Sequence, residues 1–235
     1  FKSFATTPVL ITSVSPDMRA KVAQNTLRNY GFFSGKVNYE IRPEKNPKKA
    51  KVAYAVQVGP LSLLDSITYL SFPPAQDSLL RATHNKRLLR SGDAFSAVRL
   101  TGEQARISKL FRNAGYYYWQ DNYTTFQADT LARRQLVQLH VQPSPAINKK
   151  ALRPWKIGET HITVRRYDSE ILEKTKSKRF FTFNYSGKRV PLRSSMWRQA
   201  VTHKHGELYR YDDQRSTLEK LNNIGVFRLL DVEYI

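Results

Sequence analysis

Three stretches of this chain repeat one short pattern: an apolar or aromatic residue, a polar one, Asn, a variable residue, Gly, then two large apolar residues. They are Leu27-Arg28-Asn29-Tyr30-Gly31-Phe32-Phe33, Phe111-Arg112-Asn113-Ala114-Gly115-Tyr116-Tyr117 and Leu221-Asn222-Asn223-Ile224-Gly225-Val226-Phe227. A pattern that recurs at spacings of this size is the mark of an array of small units rather than one undivided core. Its physics is that of a helix end. Glycine adopts positive φ just past the last helical turn without a Cβ clash. Asn two positions earlier is a weak helix former, and the apolar pair starts an extended segment that packs back on the helix.

The flanks of each junction agree. A start signal lies ahead of each helix: Ser15 before Pro16, the capping-box spacing Thr101 to Gln104, and Asp212 or Asp213 for the third. After the first junction, Val37, Tyr39 and Ile41 alternate with polar residues, and so do Val52, Tyr54, Val56 and Val58 across a polar Glu44–Lys49 turn, which predicts a hairpin. After the second, Tyr123–Ala128 and Gln135–Val141 repeat that plan with Asp129–Arg134 as the turn and Val137, Leu139 and Val141 inward. After the third, Phe227–Ile235 supplies a single strand, with its partner missing from this fragment.

Strands also precede the helices. Leu64–Leu70 leads past Pro73-Pro74 into a helix near Asp77–Leu89, and Thr160–Tyr167 precedes a helix near Arg193–Val201. The expected fold class is therefore α+β: tandem strand-helix-helix-strand-strand modules, each a three-stranded mixed sheet with two helices on one face. The expected boundaries are 1–60 (little room for an opening strand before Pro8, so the front is clipped), 61–145, and 146–235 (last strand missing). The chain opens on Phe1 without a charged-then-apolar leader, which reads as a mature or trimmed piece.

Composition excludes several chemistries. With no cysteine there is no thiolate metal site, disulfide or cysteine nucleophile. His203-x-His205 has two ligand types but no third at metal-site spacing, and Asp212 and Asp213 are explained by helix capping. No nucleophile elbow, phosphate loop or HExxH motif is present. The expectation is a chain without catalytic residues, metal or cofactor. The net charge of +20 is spread along the sequence, with local runs at Lys45–Lys51 and Lys174–Arg179. Solvated loops account for such runs, as does attraction to an anionic lipid surface or an acidic partner.

The Asn-x-Gly-aromatic junctions, the Val-rich strand ending in Gly59-Pro60, and Leu89-Arg90-Ser91-Gly92-Asp93-Ala94-Phe95 with its counterpart Gly206-Glu207-Leu208-Tyr209 resemble polypeptide-transport-associated (POTRA) domains of the BamA/TamA family. The Gly115-Tyr116-Tyr117-Tyr118 and Asp129-Thr130 features are most like the lipid-anchored TamL-type proteins. The resemblance covers nearly the whole chain. The departures from it are a long basic stretch between Asp168 and Pro191, the missing final strand of the third module, and the absence of the family's membrane barrel and lipid-anchor cysteine.

The resemblance implies a periplasmic arm attached to the outer membrane of a Gram-negative bacterium. It implies unfolded outer-membrane proteins and TamB-like or other periplasmic subunits as partners, and a membrane connection through a barrel elsewhere in a parent polypeptide. It makes the second strand of each module the edge that receives an extended chain: Val37, Asn38, Tyr39, Glu40 and Ile41 in the first, Tyr123, Thr124, Thr125 and Phe126 in the second, Phe227–Ile235 in the third. Unpaired N–H and C=O groups at such an edge bind backbone whatever its sequence. Edges blunted by charges such as Lys36 and Arg42 are the alternative. Proline at Thr125 is expected to weaken such binding. Gly31, Gly115 and Gly225 are the structural turns.

Two rival functions share these residues. One is a basic nucleic-acid-binding protein, although Gly115-Tyr116-Tyr117-Tyr118-Trp119 is only superficially like the RRM strand motif. The other is a passive scaffold for periplasmic subunits.

Overall fold

The computed structural model describes residues 11–46, 49–133, 135–190, 192–232 and 234. The stretch before Pro8, and part of each expected hairpin turn, lie outside them. Six helices and eight strands are assigned among the described residues. The chain falls into two compact units, the first holding the residues up to Ser71, His84–Gln104 and Thr125–Gln142, the second Phe72–Thr83, Ala105–Thr124 and the residues from Pro143 on.

In the first unit a single turn, α1 (Ile11–Val14), precedes α2 (Pro16–Asn29), with Ser15 as N-cap in the left-handed region and Pro16 at the first position. After Gly31 come β1 (Lys36–Pro43) and β2 (Ala50–Gln57), antiparallel with Tyr39 opposite Tyr54 and Ile41 opposite Val52. The period-two apolar pattern read from the sequence is this hairpin.

A second sheet has the order β3-β5-β4: β3 (Leu63–Tyr69), β4 (Thr124–Arg133) and β5 (Leu136–Pro143). β3 runs parallel to β5, with Leu64 opposite Val137 and Tyr69 opposite Val141. Val137, Leu139 and Val141 are fully buried, the inward set of alternate positions. The expected turn Asp129–Arg134 is shorter than predicted: β4 runs on to Arg133, and Gln135 turns the chain at φ +60°. Polar residues continue a strand where it outruns the covered face of its sheet.

Helix α3 (Pro74–Ala82) is shorter than the sequence suggested and is followed by a 3-10 turn at His84–Lys86. Helix α4 (Ala97–Asn113) starts four residues before Thr101, whose hydroxyl donates to the Ala97 carbonyl from inside the helix. The capping-box spacing there is therefore coincidental, and Ser96 stands at the helix start instead, its Oγ 3.5 Å from the Arg99 N–H.

The second unit contains a third sheet of order β6-β8-β7: β6 (Thr160–Val164), β7 (Lys174–Lys178) and β8 (Phe181–Tyr185). β6 is parallel to β8, and β7 antiparallel to it. Helices α5 (Ser194–Ala200) and α6 (Tyr211–Asn223) come next. Ile162, Phe183, Tyr185, Trp197, Ala200 and Leu221 form one buried cluster from sheet and both helices. Asp212 and Asp213 lie in the first turn of α6 rather than at its cap, which is Arg210.

Here the structure overturns one expectation. No strand comes after Gly225 among the described residues. The basic stretch before Pro191 supplies the β7–β8 hairpin instead, so strands that come after the helices in the second sheet precede them in the third. Phe227 and Leu230 pack against the buried cluster as irregular chain.

Candidate functional site

The three junctions end their helices with glycine at positive φ: +87° at Gly31, +100° at Gly115 and +73° at Gly225. At the first two, the pair of bonds that closes a helix into a left-handed C′ residue is complete. Phe32 N–H donates to the Leu27 carbonyl and Gly31 N–H to that of Arg28; Tyr116 donates to Phe111 and Gly115 to Arg112. At the third, the Gly225 N–H donates to Asn222.

Beyond the turn the chain enters a hydrogen-bonded joint, built the same way at Gly31 and Gly115. The Gly31 carbonyl accepts from Ser62 N–H (3.0 Å), the Ser62 carbonyl from Phe95 N–H (3.0 Å), the Asp93 carbonyl from Leu64 N–H (2.8 Å) and the Leu64 carbonyl from Gly92 N–H (2.8 Å). The Gly115 carbonyl accepts from Trp155 N–H (2.8 Å), that of Trp155 from Tyr209 (2.9 Å), that of Glu207 from Ile157 (2.8 Å) and that of Ile157 from Gly206 (2.8 Å). Isolated antiparallel bridges Leu63–Ala94 and Lys156–Leu208 sit at the same step of each. The residue two past each glycine meets an aromatic ring across the joint: Phe33 on Phe95 and Tyr117 on Tyr209, both edge-to-face with centroids 4.9 Å apart.

Glycine is required at the two turns on a second ground. A Cβ at Gly31 would lie 3.0 Å from the Phe95 carbonyl oxygen, and one at Gly115 would lie 3.1 Å from Leu208 and from Pro154. At Gly225 nothing is within 4 Å.

The second joint carries added polar contacts. Arg112 Nη2 donates to the Tyr209 hydroxyl (2.9 Å), which donates to Gln214 Oε1 (2.6 Å), and the Arg112 guanidinium lies 4.3 Å from the centre of the Tyr211 ring. Asn113 Nδ2 donates to Asp212 Oδ2, while its Oδ1 accepts the Asp212 N–H, both at 2.9 Å. The repeated Asn thus satisfies a donor in the first turn of α6, a role the sequence did not disclose. Burial pushes the Tyr209 hydroxyl pKa up. The bond from Lys109 is the largest of several effects holding the Asp212 carboxyl below the usual carboxylate range.

The expected partner-binding residues sit on two sheet margins. β1 has β2 on one side only among the described residues. On it Val37 is buried, whereas Asn38, Tyr39, Glu40 and Ile41 are exposed. Tyr39, Ile41, Tyr54 and Val56, between 39% and 51% exposed, make one apolar face of the hairpin that is open to solvent. Charges flank it: Arg42 pairs with Glu40, and Lys51 with Glu44, whose pKa it lowers. β4 is one margin of the second sheet, β3 the other. Thr125 and Phe126 are half-buried there, Thr125 Oγ1 donating to the Gln142 carbonyl. Thr124 is fully buried, and Tyr123 closes the 3-10 turn before the strand, its carbonyl accepting from Ser144 N–H.

His203 Nε2 is 3.3 Å from the Thr160 hydroxyl, and the His205 ring stacks on Phe180 at 4.3 Å. Among the described residues no group of three or more His, Asp or Glu gathers at metal-binding distance. No helix among them is long and apolar enough to cross a membrane.

No model of a known protein family matches the sequence, and no curated protein matches it. Solved structures do. The POTRA3–5 segment of Haemophilus influenzae BamA aligns over 92% of this chain and 71% of its own, at 13% identity and a TM-score of 0.48. The N-terminal domain of Omp85 from Thermosynechococcus elongatus aligns over 92% and 75%, at 14% identity and a TM-score of 0.29. Haemophilus ducreyi BamA lacking POTRA domains 1–3 aligns over 59% and 24%, at 14% identity and a TM-score of 0.39.

Proposed function

We propose that this chain is the periplasmic arm of an outer-membrane β-barrel assembly or translocation protein, made of three POTRA-like modules over residues 1–60, 61–145 and 146–235. Its sheet margins take up extended chain, either an unfolded barrel precursor or a TamB-like periplasmic partner, by strand addition. Within that group its sequence features are of the TamL type. The arm performs no catalysis and needs no cofactor.

One observation carries this reading: the joint at Gly31 recurs bond for bond at Gly115, with an equivalent aromatic pair beside it. Repetition of a joint, rather than of a pocket, suits a chain whose task is to present successive small sheets. Strand addition suits many clients, because the backbone groups of a margin strand bind without regard to sequence while the flanking side chains set preference. The open apolar face around Tyr39 and Tyr54 adds contact area beside the β1 margin.

The test is site-specific photo-crosslinking of the folded chain to unfolded barrel precursor peptides. A crosslinker at Asn38 on β1 or Gln127 on β4 should capture peptide, and one at Gln199 on α5 should not. Equal capture at all three positions would remove strand addition. A salt series with random single-stranded DNA separates the nucleic-acid alternative, which requires tight binding at physiological salt and a steep slope.

A further inference from the structure

We infer that the β7–β8 hairpin, with the start of α5, is a docking surface for an anionic phospholipid bilayer: Lys178, Arg179, Ser194 and Arg198 hold headgroup phosphate, and Phe180 enters the interface. The inference does not depend on the proposed function above.

The charge is concentrated here to a degree that the chain as a whole does not show. From Lys174 to Gly206 the sequence has nine Lys or Arg and no Asp or Glu. All nine are exposed. Among the described residues only Lys204 of the nine has a carboxylate at ion-pair distance, Glu207 at 3.5 Å. Elsewhere several surface cations are paired, as at Arg81–Asp77, Arg99–Asp93 and Arg215–Glu219.

Protection of a sheet margin explains part of this. β7 is the margin of its sheet, exposed at all five residues, and lysine at alternate positions is a known way to blunt such a strand. It does not explain the rest. Arg198 is on α5, and Lys188 and Arg189 lie beyond β8. Lys178, Arg179 and Arg198 converge with Ser194 on a cleft of about 110 Å³, floored by Phe181 and Phe183. Three cations and a hydroxyl around an apolar floor, without a carboxylate, are suited to an anion.

The hairpin tip selects the kind of anion. Arg179 turns the chain at φ +56° and leaves Phe180 54% exposed among these cations. One face of its ring is covered by His205, parallel within 6° at 4.3 Å. A base could therefore stack only on the opposite face. An exposed aromatic ring beside Lys and Arg that lack carboxylate partners matches a bilayer, where phosphate lies just above the apolar boundary.

The experiment is co-sedimentation of the full chain with vesicles of pure phosphatidylcholine and of phosphatidylcholine containing phosphatidylglycerol. Binding is expected only to the second, falling with added salt. Lys176→Glu/Lys178→Glu should weaken it at least about tenfold, whereas Lys45→Glu/Lys49→Glu, with the same change of net charge, should leave it within about twofold. Phe180→Trp should show emission quenched by brominated lipid. All these sites are exposed, and unchanged thermal melts will show that the variants fold. Equal loss in both double variants, absence of vesicle binding, or single-stranded DNA bound through Lys176 and Lys178 in place of vesicles would overturn the inference.

Discussion

The ring of Tyr117 stands edge-on to that of Tyr209, centroids 4.9 Å apart and planes at 77°, and in doing so it joins the residue two past one helix-ending glycine to the segment just before α6. Phe33 and Phe95 hold the same relation at the same distance. A pair fixed this way is worth about 0.5–1.5 kcal/mol beyond its buried area. A double-mutant cycle of Tyr117→Leu and Tyr209→Leu should return a coupling in that range by urea denaturation, and Phe33→Leu with Phe95→Leu should return a similar one. Tyr209 also exchanges hydroxyl bonds with Arg112 and Gln214, so Tyr209→Phe alone should cost about 1–2 kcal/mol while Phe95 offers no equivalent hydroxyl to lose.

The three glycines should not be equivalent to substitution. All hold positive φ, which costs a non-glycine residue about 1–2 kcal/mol. At Gly31 and Gly115 the new Cβ also presses on backbone or proline at 3.0–3.1 Å, whereas at Gly225 it meets open space. Gly31→Ala and Gly115→Ala should therefore lower stability more than Gly225→Ala. Equal losses measured by chemical denaturation would mean that φ alone sets the requirement and that the joint yields freely.

Much of this fold was legible where apolar residues alternate along a strand. Val37, Tyr39 and Ile41 alternate and form β1; Val137, Leu139 and Val141 alternate and are fully buried. The glycine junctions were legible because positive φ past a helix end favours glycine. Two things were not. β7 reads Lys-Thr-Lys-Ser-Lys, exposed throughout, so nothing apolar marks it as a strand; only Phe181, Phe183 and Tyr185 on its neighbour keep a period. Phe227–Ile235 follows its junction as the strands of the other two modules follow theirs, which is why the sequence predicts a strand there instead. The joint itself links Arg112 to Tyr209 and Asn113 to Asp212 across nearly a hundred residues, and no local pattern announces such a pair.

Glu103 should prove structural rather than functional. It is fully buried on α4, accepting the Tyr69 hydroxyl at 2.8 Å and the Leu88 N–H at 2.9 Å. Replacing it with Leu removes the acceptor of both bonds, and the loss should be about 2–3 kcal/mol. Glu103→Gln keeps an acceptor for one of them and should cost less. Urea midpoints for the two variants at neutral pH will show the order; a Gln variant as unstable as the Leu variant would point to the charge instead.

His203 predicts a pH dependence with a definite sign. Burial lowers its pKa below the ordinary 6.5, against an opposing pull from Asp213, while its Nε2 faces the Thr160 hydroxyl and its ring lies 6.0 Å from that of Tyr234. The folded state then holds fewer protons at this site than the unfolded state between the lowered pKa and 6.5. The stability this contributes is complete above 6.5 and is lost as pH falls toward the folded pKa. Glu170, held at about 2 by bonds from Arg166 and Ser186, acts in the same direction but only from the carboxylate range downward. Denaturation of the wild type should therefore show stability level from pH 8 to about 6.5 and declining below it. His203→Gln should flatten the upper part of that decline and leave the part below about pH 4.5 in place. A variant with the wild-type slope between those limits would place the titration on another group.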